Sequence, residues 1–240
     1  MGTYVNPSLE KLSKAKKKQY YVDKSMIISK LNVLVESGNR FVCVSRPRRF
    51  GKTMAANMIA TYYSKGCDSH EIFSDLEISK DPSFEEYINK YTVIKIDMND
   101  IVSSRVNQSV VDYLTQEVIT ELKLIFPNIN LDGELSLSTA IKRIYAQTGE
   151  KFVFVIDEYD VIVRDELYSS ELDGYLQMLV SLFKSEDVNN SIALAYLTGI
   201  MPIIKEKTQS KLNNFIEYTM LSPKGMAPYM GFTEDEVKKL

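Results

Sequence analysis

Apolar residues gather along this chain in five short runs, separated by longer stretches in which they recur every third or fourth position. The runs are 41–45 (FVCVS), 92–97 (TVIKID), 152–156 (FVFVI), 192–198 (IALAYLT) and 215–221 (FIEYTML). The first, third and fourth are almost continuously apolar, which is the pattern of strands covered on both faces in a parallel sheet. Between the runs, Val110, Leu114, Val118, Leu122 and Ile125 make one stripe at helical spacing, and Leu172, Tyr175, Leu176, Leu179 and Leu182 make another. Met54, Met58, Ile59 and Tyr62 mark a helix that begins directly after a Gly-Lys-Thr triplet, and 26–36 is a further helical stretch ending near Gly38. Strands alternating with helices predict an α/β fold, a sheet with helices on both faces and right-handed crossovers.

No internal repeat or low-complexity linker divides the chain. Thr233 followed by Glu236 has the spacing of a capping box, so a helix is expected to start there. The sequence ends roughly one and a half turns later, as expected of the front part of a longer protein. Three segments follow: residues 1–37 as an extension and helix packed on the core, 38–230 as the core, and 231–240 as the start of a further helical region.

The densest chemistry lies at Arg46-Pro47-Arg48-Arg49-Phe50-Gly51-Lys52-Thr53, between a strand and a helix. That context gives a Gly-Lys-Thr loop its meaning as a phosphate cradle. Gly51 lets the backbone approach an anion closely, and the N–H groups of the following helix, from Lys52 to Met54, point at it. Lys52 would reach the β- and γ-phosphates and the Thr53 hydroxyl would ligate magnesium. Arg46 stands where the general pattern has glycine, so the loop entry is expected to bend differently, helped by Pro47. The third apolar run closes on Asp157 and Glu158. Asp157 would hold magnesium, usually through water, and Glu158 would orient and deprotonate an attacking water.

Other positions are open to two readings. Thr198, at the end of the fourth run, either senses the γ-phosphate or caps a strand. Asp160 reads first as a surface helix residue and otherwise as support for the acidic pair. Arg48 and Arg49 adjoin the phosphates and either stabilise transition-state charge or pair structurally, the second being favoured. No arginine follows Arg164; the region where ring-forming ATPases place an arginine for a neighbouring subunit offers Lys205, Lys207 and Lys211 instead. This argues against ordinary ring assembly.

Composition narrows the class further. The 240 residues are 45% hydrophobic and 25% charged, as in globular proteins. No apolar run approaches the ~20 residues that cross a bilayer, and the first ten residues lack a signal-peptide pattern. Cys43 and Cys67 are far apart and His70 has no histidine partner, so a zinc site is not expected and two free thiols suggest the cytoplasm. The net charge of −3 does not indicate a nucleic-acid binder. The run from Lys11 to Lys18 reads as a solvated loop, with contact to a nucleic-acid backbone as the alternative. The absence of an Asn-Lys-x-Asp string favours ATP over GTP.

With these residues in view, the chain resembles the bacterial AAA-ATPase-like family (predicted AAA-ATPases). The likeness runs from GTYVNP and YVDKS through VSRPRRFGKT, FVFVIDEYD and AYLTGIMPI to GFTEDEV. The resemblance implies a P-loop NTPase of the additional-strand class with sheet order 5-1-4-3-2, and it makes Arg46 a family feature. Tyr21, or its neighbour Tyr20, would stack on adenine or else sit in the core. Longer family members continue into a nuclease-like domain, a partner not contained in these residues.

Overall fold

The computed structural model describes residues 1–203 and 212–239. Five strands form one sheet: β1 (Phe41–Ser45), β2 (Thr92–Asp97), β3 (Phe152–Asp157), β4 (Ile192–Gly199) and β5 (Ile216–Tyr218). Their order is β2-β3-β4-β1-β5 and every pairing is parallel, so the order expected from the resemblance holds. Alternate residues of each strand feed two separate cores. Phe41, Cys43, Ile94, Ile96, Phe152, Phe154, Ile156, Ala195 and Leu197 face the helices Val110–Ile125, Leu137–Thr148 and Leu172–Phe183. Val42, Val44, Val93, Val153, Val155, Leu194 and Tyr196 face the helices Ile27–Asn32 and Lys52–Tyr63. Burial on both faces explains why the strand runs are continuously apolar.

The outer edge of β2 does not stay open. Asn6 donates its N–H to the Val93 carbonyl (2.8 Å) and Lys95 donates to the Tyr4 carbonyl (2.8 Å), an antiparallel patch along that edge. Glu121, on the helix Val110–Ile125, accepts the N–H groups of Thr3, Tyr4 and Val5 and pins the patch down. A covered edge removes a template for unwanted strand pairing.

Several expected boundaries shift. β5 covers three residues instead of seven, since Thr219 N–H turns to the Ser222 carbonyl and Leu221 projects fully into solvent. The helix expected over 26–36 is regular only over Ile27–Asn32; tight turns follow, closing at Glu36 with φ +58°. The lysine run lies largely in a helix, Glu10–Lys16, not a loop: Leu12 anchors it in the core, and Lys16 bonds the Ile72 carbonyl and pairs with Asp75. The capping box forms as expected, with Thr233 N–H on Glu236 (2.7 Å) and Glu236 N–H on Thr233 Oγ1 (3.3 Å), opening the helix Glu234–Lys239. Lys205, Lys207 and Lys211 lie outside the described residues.

Candidate nucleotide site

The register brings the chemistry to one end of the sheet. Asp97 pairs with Asp157, Asp157 with Thr198, and Thr198 with Val44, so β1 to β4 finish on one line. Ligands of open α/β sheets bind outside this carboxyl edge. From the end of β1 the chain turns through Arg49 (φ +71°) and Gly51 (φ +77°) into the helix Lys52–Tyr63. The left-handed φ at Gly51 is free for glycine and costs other residues roughly 1–2 kcal/mol.

A cavity of about 340 Å³ opens over this turn, lined by Arg48, Arg49, Gly51, Lys52, Thr53, Met54, Asn99, Glu158 and Arg164. Lys52 is buried; its Nζ donates to the Pro47 carbonyl at 3.2 Å and lies 3.5 Å from Glu158 Oε1. Glu158 Oε2 accepts both terminal nitrogens of Arg164 at 3.2 Å, so each oxygen of this carboxylate faces a separate cation. Glu158 has φ +52°, in the left-handed region that side chains other than glycine adopt sparingly.

Asp157 is completely buried. Its Oδ1 accepts the Glu158 N–H (3.1 Å), whereas Oδ2 has no hydrogen-bond partner of ordinary geometry among the described residues. Burial pushes its pKa up to about 6; the Thr53 hydroxyl and Lys95 oppose the rise, while Asp97 and Glu158 add to it. Asp97 is itself shifted upward, by desolvation and then by Asp100, and its Oδ1 caps the helix Met98–Ser104 through Asn99 N–H (3.0 Å). Lys95 is buried on the same strand face as Asp97, and burial lowers its pKa.

A second, more apolar cavity of about 170 Å³ adjoins the first and shares Arg49, Gly51 and Met54 with it. Tyr21, Val22, Phe50, Met58, Tyr229 and Phe232 supply much of its wall. The segment carrying Tyr229 and Phe232 is tied down twice: Gly231 donates its N–H to the Phe50 carbonyl (3.1 Å), and Lys24 pairs with Glu236 at 2.6 Å.

Of the residues singled out in the sequence, Arg48, Arg49, Gly51, Lys52, Thr53, Met54 and Glu158 line the first cavity; Asp157 lines neither cavity and is buried next to Glu158, with the Thr53 hydroxyl beside it. Phe50 and Tyr21 line the second, while Tyr20 stays largely in solvent. Arg46 turns its side chain away from both: it is buried and donates to the carbonyls of Ser45 and Tyr218, both at 2.8 Å, fastening the loop entry to β5. Pro47 contributes its carbonyl to Lys52 and is absent from either wall. The Thr198 hydroxyl donates to the Val44 carbonyl (3.0 Å), inside the sheet. Asp160, read first as a surface residue, is buried; its Oδ2 accepts Ile200 N–H (3.1 Å), Met201 N–H (2.8 Å) and Arg164 (3.1 Å). Arg164, Asn99, Tyr229 and Phe232 were not singled out by pattern. Asp97 carried a legible signal, because it closes an apolar run as Asp157 does. Arg164 carried none, since only the one-turn helix Val161–Arg164 folds it back over Glu158.

A sequence profile of the family described as "Predicted AAA-ATPase" matches residues 8–208. The chain belongs to the AAA-ATPase-like family. It is also 26% identical over 226 residues to an "Uncharacterized protein in vnfD 5'region" of Azotobacter chroococcum mcd 1, an alignment covering 91% of this chain and 40% of that protein. The chain thus spans less than half the length of this relative. Family membership points to a nucleotide-binding, ATPase-like function for the chain. No helix among the described residues is long and apolar enough to cross a membrane.

Proposed function

We propose that this chain binds ATP with magnesium across the two cavities and hydrolyses it. The observation that carries the reading is the convergence of Lys52, Thr53, Glu158 and Arg164 on one cavity at the carboxyl edge of the sheet, with the buried Asp157 next in sequence to Glu158 and beside the Thr53 hydroxyl. The smaller, aromatic cavity next to it suits a nucleobase, and the residues common to both suit a ligand that runs from one to the other. Tyr21, Phe50 and Phe232 would flank the base.

The acidic cluster fits a divalent cation. A buried carboxylate oxygen without a hydrogen-bond partner is costly, and a hard cation bound through oxygen relieves that cost. Asp157 and Thr53 would hold magnesium, which, when bound, draws charge from the β- and γ-phosphates. Lys52 would leave the Pro47 carbonyl for the phosphate oxygens. Glu158 would accept the proton of the attacking water as the new O–P bond forms and ADP departs. The Arg46 side chain and the Thr198 hydroxyl, both spent on backbone carbonyls, have no part in this scheme. Glu158→Gln tests the assignment: it should retain MgATP and lose turnover, and a Gln variant hydrolysing ATP at the wild-type rate would remove Glu158 from its role.

The ties from Gly231 to Phe50 and from Glu236 to Lys24 favour a second reading, a nucleotide-gated switch in which base binding sets the posture of residues 226–239. Fast hydrolysis without any partner would exclude slow switching as the main task.

A further inference from the structure

Arg164 holds a place that hydrolysis by Glu158 does not itself require. It lines the phosphate cavity, it bonds the carboxylate assigned as base, and a buried aspartate orients it from behind. We propose that Arg164 is a catalytic residue acting within its own chain: it pairs with Glu158 while the γ-phosphate position is vacant and moves onto the γ-phosphate when ATP is bound. The inference rests on the proposed nucleotide site and adds a specific group to it.

The geometry supports this in three ways. Glu158 is held at Oε1 by Lys52 and at Oε2 by Arg164, both on the walls of the same cavity. A triphosphate entering between them brings more negative charge than a single carboxylate, so it competes for both cations. Their transfer frees Glu158 to accept the proton of water. In addition, guanidinium is a planar fork with five donors, of which the three recorded bonds to Glu158 and Asp160 leave others for a phosphoryl group. Finally, Arg164 stays anchored while it changes partner. Asp160 is almost fully buried and fixed by Ile200 and Met201 N–H, and Gly199 is required beside it, because a Cβ there would collide with Asp160 and Tyr159.

The other arginines of the cavity, Arg48 and Arg49, are exposed on the loop, and neither bonds Glu158. In the reaction, water oxygen bonds the γ-phosphorus as the bond to the ADP oxygen breaks. The water proton passes to Glu158, and Arg164 stabilises charge on the transferring phosphoryl oxygens. An interaction made chiefly at that stage raises turnover more than it raises ground-state affinity.

The test uses the whole 240-residue chain as wild type, Arg164→Ala, Arg164→Lys and Lys52→Ala. ADP affinity, single-turnover ATP hydrolysis and trapping of ADP with fluoroaluminate are measured on each. Arg164→Ala should bind ADP within ~2-fold of wild type, lose about 100-fold or more in turnover and fail to trap fluoroaluminate. Added guanidinium ion should restore part of the lost rate, which a merely structural arginine would not allow. Arg164→Lys keeps a cation beside Asp160, and it should show the same split with a smaller loss. Wild-type turnover or trapping in Arg164→Ala, or an equal loss of ADP affinity and turnover in both variants, would overturn the inference while Lys52-dependent ADP binding kept the site intact. ADP binding by Lys52→Ala as tight as by wild type would overturn the nucleotide site and the role of Arg164 together.

Discussion

Removing the charge of Asp157 should make the nucleotide-free protein more stable and the site useless. Asp157 is completely buried, and its pKa stands at about 6 against an ordinary 3.8. The folded chain therefore holds this proton more tightly than the unfolded chain. The associated stability is fully present below pH 3.8 and is lost as pH rises through about 6. At 1.36 kcal/mol per pH unit the complete loss is ~3 kcal/mol, of which ~2 kcal/mol falls between pH 4.5 and pH 8. Asp157→Asn keeps the shape and an oxygen for Glu158 N–H but cannot ionise. Urea unfolding of wild type and variant at both pH values, without nucleotide or divalent cation, reads the difference directly. The variant should gain ~2 kcal/mol relative to wild type on going from pH 4.5 to pH 8. On the proposed function, MgATP should stabilise wild type and leave the variant unchanged. A stability difference that does not change with pH, or an Asn variant that falls behind at pH 8, would refute the claim that this carboxylate is ionised at a desolvation cost.

Three further outcomes follow from single contacts. Arg46→Ala strips two carbonyls of a charged donor and should lower stability by about 2–3 kcal/mol in denaturant melts, because β5 loses its tie to the loop. Gly231→Ala meets both a φ of +80° and the Phe50 ring, whose Cδ1 would lie 2.9 Å from the new Cβ. It should cost roughly 1–2 kcal/mol of stability and weaken ATP binding more than binding of inorganic triphosphate, as calorimetry would show. Gly199→Ala should unfold at clearly lower denaturant than wild type, since its Cβ would run into the buried Asp160 carboxylate and the Tyr159 ring.

The sheet was legible because strands covered on both faces must be apolar almost throughout, and such runs stand out beside helical spacing. Phe152 to Asp157 is the clearest case: each face feeds a different core, and the run ends on carboxylates at the ligand edge. The end of β5 was less so, since Thr219, Met220 and Leu221 are apolar enough to continue a strand, yet the turn to Ser222 takes them away. The shortness of the helix Ile27–Asn32 was hidden for a similar reason, because Val33, Leu34 and Val35 keep the spacing while tight turns replace the helical bonds. At the site, the loop and the acidic pair could be read from local order. The second cavity could not: Tyr21 and Tyr229 are brought together by packing of distant segments over Phe50. The burial of Asp160 was hidden too, since its partners Ile200 and Met201 lie about forty residues on, just past the end of the neighbouring strand β4.

On the proposed function, the turn at Gly51 and the carboxylates closing β3 receive one magnesium-bound triphosphate. Thermal and urea unfolding of the wild-type chain and Lys52→Ala, with MgATP at a hundred times its dissociation constant for wild type, decides the matter. Wild type should gain about 2.7 kcal/mol and Lys52→Ala almost none. Equal gains in both proteins, or no gain in wild type at millimolar MgATP, would contradict it.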